Sequence, residues 1–191
     1  MNSVILVHGI YDSASRMRPI HEFLSNERWD VHSISLKPNN GTVGIDKLAE
    51  QLEQFIKDKT SSGQKIDLVG FSMGGLICRY YMQRMEGLPR VEHFISVSTP
   101  QYGTIIGYLS GNIGPKQMRR GSEFIRDLNK DIDNLRSLKL TSIWTPLDLM
   151  VVPANSSHLE FGNEKKIWCL VHPWMVSNKK CLQTIKEELL K

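Results

Sequence analysis

The chain has 191 residues, of which 40% are hydrophobic and 23% are charged, a balance typical of a globular protein. Its 24 Lys and Arg residues slightly outnumber its 20 Asp and Glu residues and are scattered, so the charge indicates no nucleic-acid partner. This length fits one core, and we expect a single domain over residues 1–191.

The cysteines and the N-terminal residues argue against several further classes of protein. Cys78, Cys169 and Cys181 are odd in number and irregularly spaced, so they predict neither a disulfide framework nor a metal site. The N-terminal MNSVILVHGI has a short apolar run with no basic segment before it, which predicts neither a signal peptide nor a membrane span. We therefore expect a cytoplasmic protein without a metal or a cofactor.

Strand-like and helical patterns alternate along the chain. The apolar run Val4–Val7 predicts a strand buried on both faces, and a helical pattern follows over Ser15–Leu24. The other predicted strands are Trp29–Leu36, Ile66–Val69, Phe94–Val97, Leu140–Trp144 and Ile167–Val171, and the other predicted helices are Ile45–Lys59, residues 76–85, Ser122–Leu135 and Ser177–Leu190. About six strands alternating with helices predict an α/β fold, with a mostly parallel sheet covered by helices on both faces.

Residues 101–121 break this alternation. The segment has five glycines among apolar residues, so it is too glycine-rich for a stable helix and too apolar for an ordinary solvent loop. Loops of this length are usually functional or disordered. We interpret the segment as a small flap.

The stretch GFSMGG, residues 70–75, joins a predicted strand to a predicted helix and contains the pattern G-x-S-x-G. This pattern is typical of a strained turn that raises a nucleophilic serine, here Ser72, above the edge of a sheet. Gly70 and Gly74 remove side chains that would clash in so tight a turn, and Gly75 lets the helix lie close to the sheet. The alternative is a glycine-rich turn with an incidental serine, but the strand–turn–helix context favours the nucleophile.

A serine nucleophile needs a base, and the base needs an acid that orients it. His172 follows the last predicted strand, and Asp148 follows the strand before it, so both lie where open α/β sheets build their sites. The order Ser72, Asp148, His172 is the order of α/β-hydrolases. His158 is the alternative base.

An oxyanion hole needs two N–H donors. Met73 directly follows the serine and supplies one of them. Gly9 ends the first predicted strand without a side chain to block the site, so the N–H of Ile10 is the natural second donor. The alternative for this His-Gly pair is an ordinary turn at the end of a strand.

The segments VILVHGI, LVGFSMGG, PLDLMVVP and LVHPW together resemble the α/β-hydrolase superfamily. Within it, the chain is similar to small bacterial lipases and to lipase-like hydrolases related to inositol deacylases of lipid anchors. The resemblance implies a nucleophile at Ser72, an acid at Asp148, a base at His172 and oxyanion donors at Ile10 and Met73. The large cap domain of bigger relatives has no room here, and no acidic cluster supports a calcium site.

These residues predict a serine hydrolase that cleaves carboxylic esters of small molecules or lipids through an acyl-enzyme. We expect the acyl chain to contact Tyr11, Ile105 and Tyr108, which lie near the serine motif or in the flap. The alternatives are an acyltransferase or thioesterase that uses the same triad, and a non-catalytic binding protein on the same scaffold. A transient contact with a membrane surface, through the flap and Arg119–Arg120, is a further hypothesis.

Overall fold

The computed structural model describes all 191 residues and contains one six-stranded sheet. The strands are β1 (Ser3–Val7), β2 (Val31–Ser33), β3 (Ile66–Phe71), β4 (Val91–Val97), β5 (Lys139–Trp144) and β6 (Asn163–Lys166). The α-helices are α1 (Arg18–Asn26), α2 (Ile45–Lys59), α3 (Met73–Arg84), α4 (Ile113–Gln117), α5 (Glu123–Lys130) and α6 (Lys179–Leu189). Short 3₁₀ segments at Ala14–Met17, Leu88–Arg90, Ile105–Leu109, Ile132–Ser137, Ala154–Ser157 and His172–Ser177 complete the elements.

All strand pairs are parallel, in the order β2-β1-β3-β4-β5-β6. The chain moves outward from β1 to β2, and then returns to the other side of β1 for β3 and all later strands. The direction of winding therefore reverses between β1 and β3. In open α/β sheets, the carboxyl ends of the strands at such a reversal form the crevice in which ligands bind.

Helices cover both faces of the sheet, as the continuous apolar run in β1 predicts. Because side chains alternate along a strand, Ile5 and Val7 pack on one side with α2 and α3, whereas Val4 and Leu6 pack on the other with α1 and α6. All four side chains are fully buried. The predicted α/β-hydrolase fold, with its parallel sheet and no large cap domain, is confirmed.

Most element bounds agree with the sequence patterns, and the amphipathic helix Ile45–Lys59 is found at the predicted residues. The predicted strand Ile167–Val171 is wrong, because the last strand is the preceding segment Asn163–Lys166. The apolar segment instead runs beside the loop after β5, where Cys169 N–H donates to Thr145 Oγ1 at 3.2 Å. The predicted strand Trp29–Leu36 is shortened to Val31–Ser33, and the predicted helix Ser122–Leu135 becomes α5 followed by a 3₁₀ turn.

Residues 101–121 form a folded flap whose start is joined to its own end and to the loop that follows β5. Thr104 N–H donates to the Met118 carbonyl at 2.8 Å, and Ile105 N–H donates to the Val152 carbonyl at 3.0 Å. Beneath the flap, the fully buried Arg79 of α3 donates to the carbonyl oxygens of Gln101 and Leu128. Burial lowers the pKa of this guanidinium to about 10, which leaves it charged at neutral pH.

The helices of the structure are short, and none is both long enough and apolar enough to cross a membrane.

Candidate active site

Ser72 lies on the sharp turn between β3 and α3. Its φ of 54° and ψ of −124° are rarely adopted by a residue with a side chain, and such strain costs about 1–3 kcal/mol. Ser72 N–H donates to the Val97 carbonyl of β4 at 2.8 Å, and Gly75 N–H donates to the Ser72 carbonyl at 3.1 Å. The surrounding backbone therefore fixes a conformation that the serine would not otherwise favour.

Close backbone packing explains the glycines around this serine. A Cβ atom on Gly70 would lie 2.6 Å from Gly75 Cα, and a Cβ atom on Gly74 would overlap the carbonyl oxygens of Val7 and His8 at the end of β1. No side chain fits at either position without moving α3 away from the sheet. The two glycines thus allow the helix to begin beside the switch point between β1 and β3.

Asp148 and His172 are joined in the structure, although 24 residues separate them. His172 Nδ1 lies 2.7 Å from Asp148 Oδ2, and the two residues are 7% and 4% exposed. The imidazole also packs against the Phe71 ring, with 4.9 Å between the ring centroids. These contacts fix the imidazole and leave its Nε2 without a protein partner.

The carboxylate of Asp148 is held by three donors. Besides its contact with His172, its Oδ1 accepts hydrogen bonds from the backbone N–H groups of Met150 and Val151, each at 2.9 Å. Burial by itself raises the pKa of this carboxyl, but the hydrogen bonds and the nearby imidazole together outweigh it, so the pKa is lowered. Asp148 is therefore ionised at neutral pH and can orient His172.

Two cavities meet at Ser72. One, of about 460 Å³, is shared with His172 and is lined by apolar side chains that include Leu149 and Leu170. The other, of about 250 Å³, lies under the flap and is lined by residues that include Ile106, Leu109 and Met118. The serine hydroxyl and the imidazole thus face a common space, although no hydrogen bond joins them.

The backbone around Ser72 offers unused N–H groups. Ile10 N–H, after β1, donates to no acceptor, whereas Tyr11 N–H is already bonded to the Asn39 carbonyl. Met73 is the first residue of α3, and the N–H groups of a helix's first turn have no acceptor within the helix. The positive end of the α3 dipole lies at the same place and favours an anion.

His8 supports the loop that carries Ile10. Its Nδ1 lies 2.8 Å from the Gly9 carbonyl, and its Nε2 lies 2.9 Å from Leu36 N, so the neutral ring donates to one group and accepts from the other. Burial lowers the pKa of this fully buried histidine. The sequence pattern of the His-Gly pair does not indicate this bridge, because Leu36 lies 28 residues further along the chain.

Only one of the three expected substrate contacts lines a cavity beside Ser72. Tyr11 lines both cavities, whereas Ile105 and Tyr108 line neither of them and are about half exposed. The cause is the 3₁₀ segment Ile105–Leu109, which has three residues per turn and so places residues three apart on one face. Ile106 and Leu109 share the face that lines the flap cavity, whereas Ile105 and Tyr108 share another face.

Thr104 is a residue of this site that sequence reasoning missed. Its Oγ1 donates to the Met150 carbonyl and accepts from the N–H groups of Ile106 and Val152. The side chain thereby joins the flap to the loop that holds Asp148. A threonine directly before an apolar helical run is a helix N-cap signal, which could have indicated part of this role.

The alternative base, His158, is half buried and lines neither cavity beside Ser72. Its Nε2 lies 4.0 Å from the Glu164 carboxylate. The geometry therefore places His172, and not His158, beside the serine.

The structure contains no group of three or more His, Cys, Asp or Glu side chains that could hold a metal ion.

The winding of the sheet and the strand–serine–helix turn define the chain as an α/β-hydrolase. A solved structure with a similar fold is the mature form of *Bacillus licheniformis* lipase BlEst2, with a TM-score of 0.79 and 16% identity over all of this chain and 92% of that one. The chain belongs to the palmitoyl protein thioesterase family, whose model matches residues 3–112, more than half of its length. The matched residues include the serine turn but neither Asp148 nor His172.

Two curated thioesterases each match about half of the chain. Lysosomal thioesterase PPT2 of *Homo sapiens* is 31% identical over 104 residues, which are 52% of this chain and 34% of that protein. Palmitoyl-protein thioesterase 3 of *Dictyostelium discoideum* is 28% identical over 105 residues, which are 52% of this chain and 36% of that protein. The match therefore spans about a third of the length of these relatives.

Replacing Gly74 with alanine tests the packing of the serine turn. We expect Gly74→Ala to lower the free energy of unfolding by about 1–3 kcal/mol, because the new methyl group would press on two backbone carbonyls. Gly111→Ala is the control, since a Cβ atom at that flap position meets nothing within 4 Å. Urea unfolding of both variants measures the difference, and equal stability would contradict this explanation of the glycine.

The pH dependence of stability tests the role of His8. Because burial lowers the pKa of His8 in the folded chain, the unfolded chain takes up a proton first as the pH falls below about 6.5. Stability is therefore lost on acidification through this window. We expect His8→Gln to flatten the fall in unfolding free energy measured by urea titration from neutral to mildly acidic pH. A slope for His8→Gln equal to that of the wild type would argue against a buried neutral His8.

Proposed function

We propose that this chain is a serine hydrolase that cleaves carboxylic esters through an acyl-enzyme intermediate. The observation that carries the proposal is the buried Asp148–His172 pair, whose imidazole shares a cavity with the strained Ser72. Membership of a thioesterase family and the lipase-like fold support hydrolysis of an acyl bond. The choice of an oxygen ester and the roles of individual residues are parts of the proposal.

In the proposed reaction, Ser72 Oγ attacks the acyl carbonyl while His172 Nε2 removes its proton. Asp148 holds the opposite ring nitrogen and stabilises the imidazolium that forms. The proton then passes to the departing alcohol oxygen, which leaves an ester on Ser72. A water molecule, deprotonated by the same imidazole, releases the carboxylic acid and restores the serine. The absence of a Ser72–His172 hydrogen bond fits this scheme, because such bonds often tighten only when substrate is bound.

The negative charge on the carbonyl oxygen needs donors that are fixed before the reaction begins. Ile10 N–H and Met73 N–H fit this role because neither is used elsewhere and both adjoin the serine turn. Each such donor contributes about 3–4 kcal/mol of transition-state stabilisation. The bridge from His8 to Leu36 keeps the Ile10 loop in place, so the pocket for the oxyanion needs little rearrangement.

The flap cavity supplies a place for the acyl chain. It begins at Ser72 and is lined by the apolar residues Ile106, Leu109, Met118 and Val151. An acyl chain in this cavity would be removed from water while its carbonyl group stays beside the serine. The larger cavity, which is shared with His172, remains for the leaving group. A lipid or another small ester therefore fits the two cavities with its scissile bond between them.

Thioester cleavage is the second candidate, and the family match favours it. The same triad and oxyanion donors serve both reactions, because the acyl half of the substrate is identical and only the leaving atom changes from oxygen to sulfur. With sulfur the leaving group departs more easily, so hydrolysis of the common acyl-enzyme would limit the rate. A pair of substrates with one acyl chain and two leaving atoms therefore separates the candidates.

The experiment compares kcat/KM for ethyl esters and ethyl thioesters of the same acyl chains, from acetate to palmitate, so that only the leaving atom differs. We expect Ser72→Ala to lower kcat/KM by about 10⁴-fold or more for every substrate that the wild type cleaves. Ser62→Ala is the matched control, because Ser62 is exposed in the loop before β3 and lines neither cavity.

The substrate series also decides between the candidate functions. A clear preference for oxygen esters supports the leading proposal, and a preference for thioesters supports the second candidate. Transfer of the acyl group to an added alcohol, in place of hydrolysis, would identify an acyltransferase. If Ser72→Ala retained wild-type activity, the serine mechanism would be wrong for both candidates. A folded wild type that cleaves no substrate in the series would favour a binding protein on this scaffold.

A further inference from the structure

The exposed apolar side chains of this protein are gathered at one edge of the sheet. Fourteen large apolar residues are exposed, and two of them, Met1 and Leu190, lie at the chain ends. The other twelve lie in the segments that follow β1, β4, β5 and β6: Tyr11, Ile105, Tyr108, Leu109, Ile113, Leu147, Leu149, Met150, Trp168, Leu170, Val171 and Trp174. Because the strands are parallel, these segments meet at the edge that carries Ser72. We call this set of twelve residues the apolar rim.

The apolar rim differs from the scattered apolar residues of an ordinary surface. Leu109, Leu149, Trp168 and Leu170 are 82%, 76%, 73% and 71% exposed, and no comparable residue lies in the loops at the opposite edge except at the chain ends. Single exposed apolar residues need no explanation, but a contiguous group of them indicates a binding surface.

Charge is distributed unevenly around the same edge. The segments 8–19, 101–121, 145–153 and 167–180 carry seven basic residues, namely Arg16, Arg18, Lys116, Arg119, Arg120, Lys179 and Lys180. They carry two acidic residues, of which Asp148 is buried and Asp12 is paired with Arg16. The rest of the chain is close to neutral. The positive charge of the protein is therefore concentrated beside the apolar rim.

We propose that the apolar rim docks on a lipid bilayer that contains anionic lipids. Trp168 and Trp174 would lie at the level of the headgroups, where an indole ring can meet both water and acyl chains. Lys179 and Lys180 are exposed at the start of α6, a few residues beyond Trp174, and would face the lipid phosphates. This inference adds a partner to the proposed function and does not depend on catalysis.

The position of the cavities favours a bilayer over a folded protein partner. Leu109 and Met150 belong to the rim and line the flap cavity, and Leu149 and Leu170 belong to the rim and line the cavity shared with His172. A rigid protein seated on the rim would cover both cavities. A bilayer would instead bring acyl chains to their entrances.

The test measures vesicle binding by the Ser72→Ala variant, so that turnover cannot change the lipid. Phosphatidylcholine vesicles with and without phosphatidylserine are titrated, and binding is followed by cosedimentation and by tryptophan emission. Trp29 and Trp144 are buried, so a blue shift on binding reports the two rim tryptophans. We expect binding that strengthens with phosphatidylserine and weakens with added salt.

Two matched pairs of variants locate the contact. In the Ser72→Ala background, Leu170→Ser should weaken vesicle binding by about tenfold, because it removes an apolar side chain that would be buried in lipid. Leu190→Ser, at a leucine of similar exposure outside the rim, should leave binding unchanged. Lys179→Glu should likewise weaken binding to phosphatidylserine vesicles, whereas Lys65→Glu, directly before β3, should not.

Three outcomes would overturn the proposal. They are no binding to either kind of vesicle, equal effects of Leu170→Ser and Leu190→Ser on vesicle binding, and binding whose strength does not depend on phosphatidylserine. Sedimentation equilibrium tests a second copy of the chain as the occupant of the rim. Self-association that Leu170→Ser abolishes, without vesicle binding, would assign the rim to that copy. Every protein in this test lacks Ser72, so a failure to bind vesicles would not contradict the proposed hydrolysis. Equally, a failure of the hydrolysis experiment would not contradict vesicle binding.

Discussion

The site depends on the close approach of the start of α3 to the carboxyl end of β1. At Gly74 the helix backbone lies so near the Val7 and His8 carbonyls that no Cβ atom fits between them. This contact places Ser72 beside the loop that follows β1, where a Cβ atom on Gly9 would lie 3.0 Å from Ser72 Cβ. The contact is possible because β1 and β3 are neighbours at the point where the winding of the sheet reverses.

The same architecture places one part of the site on the central strands and another part on loops. The serine and the proposed oxyanion donors lie on backbone that the central strands fix. Asp148 and His172 come from loops after β5 and β6, and their mutual hydrogen bond, the N–H donors of Met150 and Val151 and the Phe71 ring hold them in place. The flap is tied to the Asp148 loop by Thr104, so the acyl cavity and the proposed base–acid pair share a support.

The sequence predicts those features that local patterns determine. Continuous apolar strands, the amphipathic helix Ile45–Lys59 and the glycine pattern around Ser72 each have one physical explanation, and the fold agrees with all three. The strand Ile167–Val171 was wrong because the true edge strand, Asn163–Lys166, consists of polar residues with low strand propensity, as suits an exposed edge. Proximity to the serine motif does not distinguish Ile105 and Tyr108 from Ile106 and Leu109, because 3₁₀ geometry decides which of these flap residues line the cavity. The bridges made by His8 and Thr104 join segments far apart in sequence, and no local pattern encodes them.

We propose that the turn at Ser72 makes this hydroxyl a nucleophile. Reaction of the folded wild-type chain with a fluorophosphonate, followed by peptide mass mapping, tests this claim without any choice of substrate. We expect a single adduct, on the peptide that contains Ser72, and we expect it to form much more slowly when His172 is replaced by Gln. A folded chain that forms no adduct, or that carries the adduct on another residue, would contradict it.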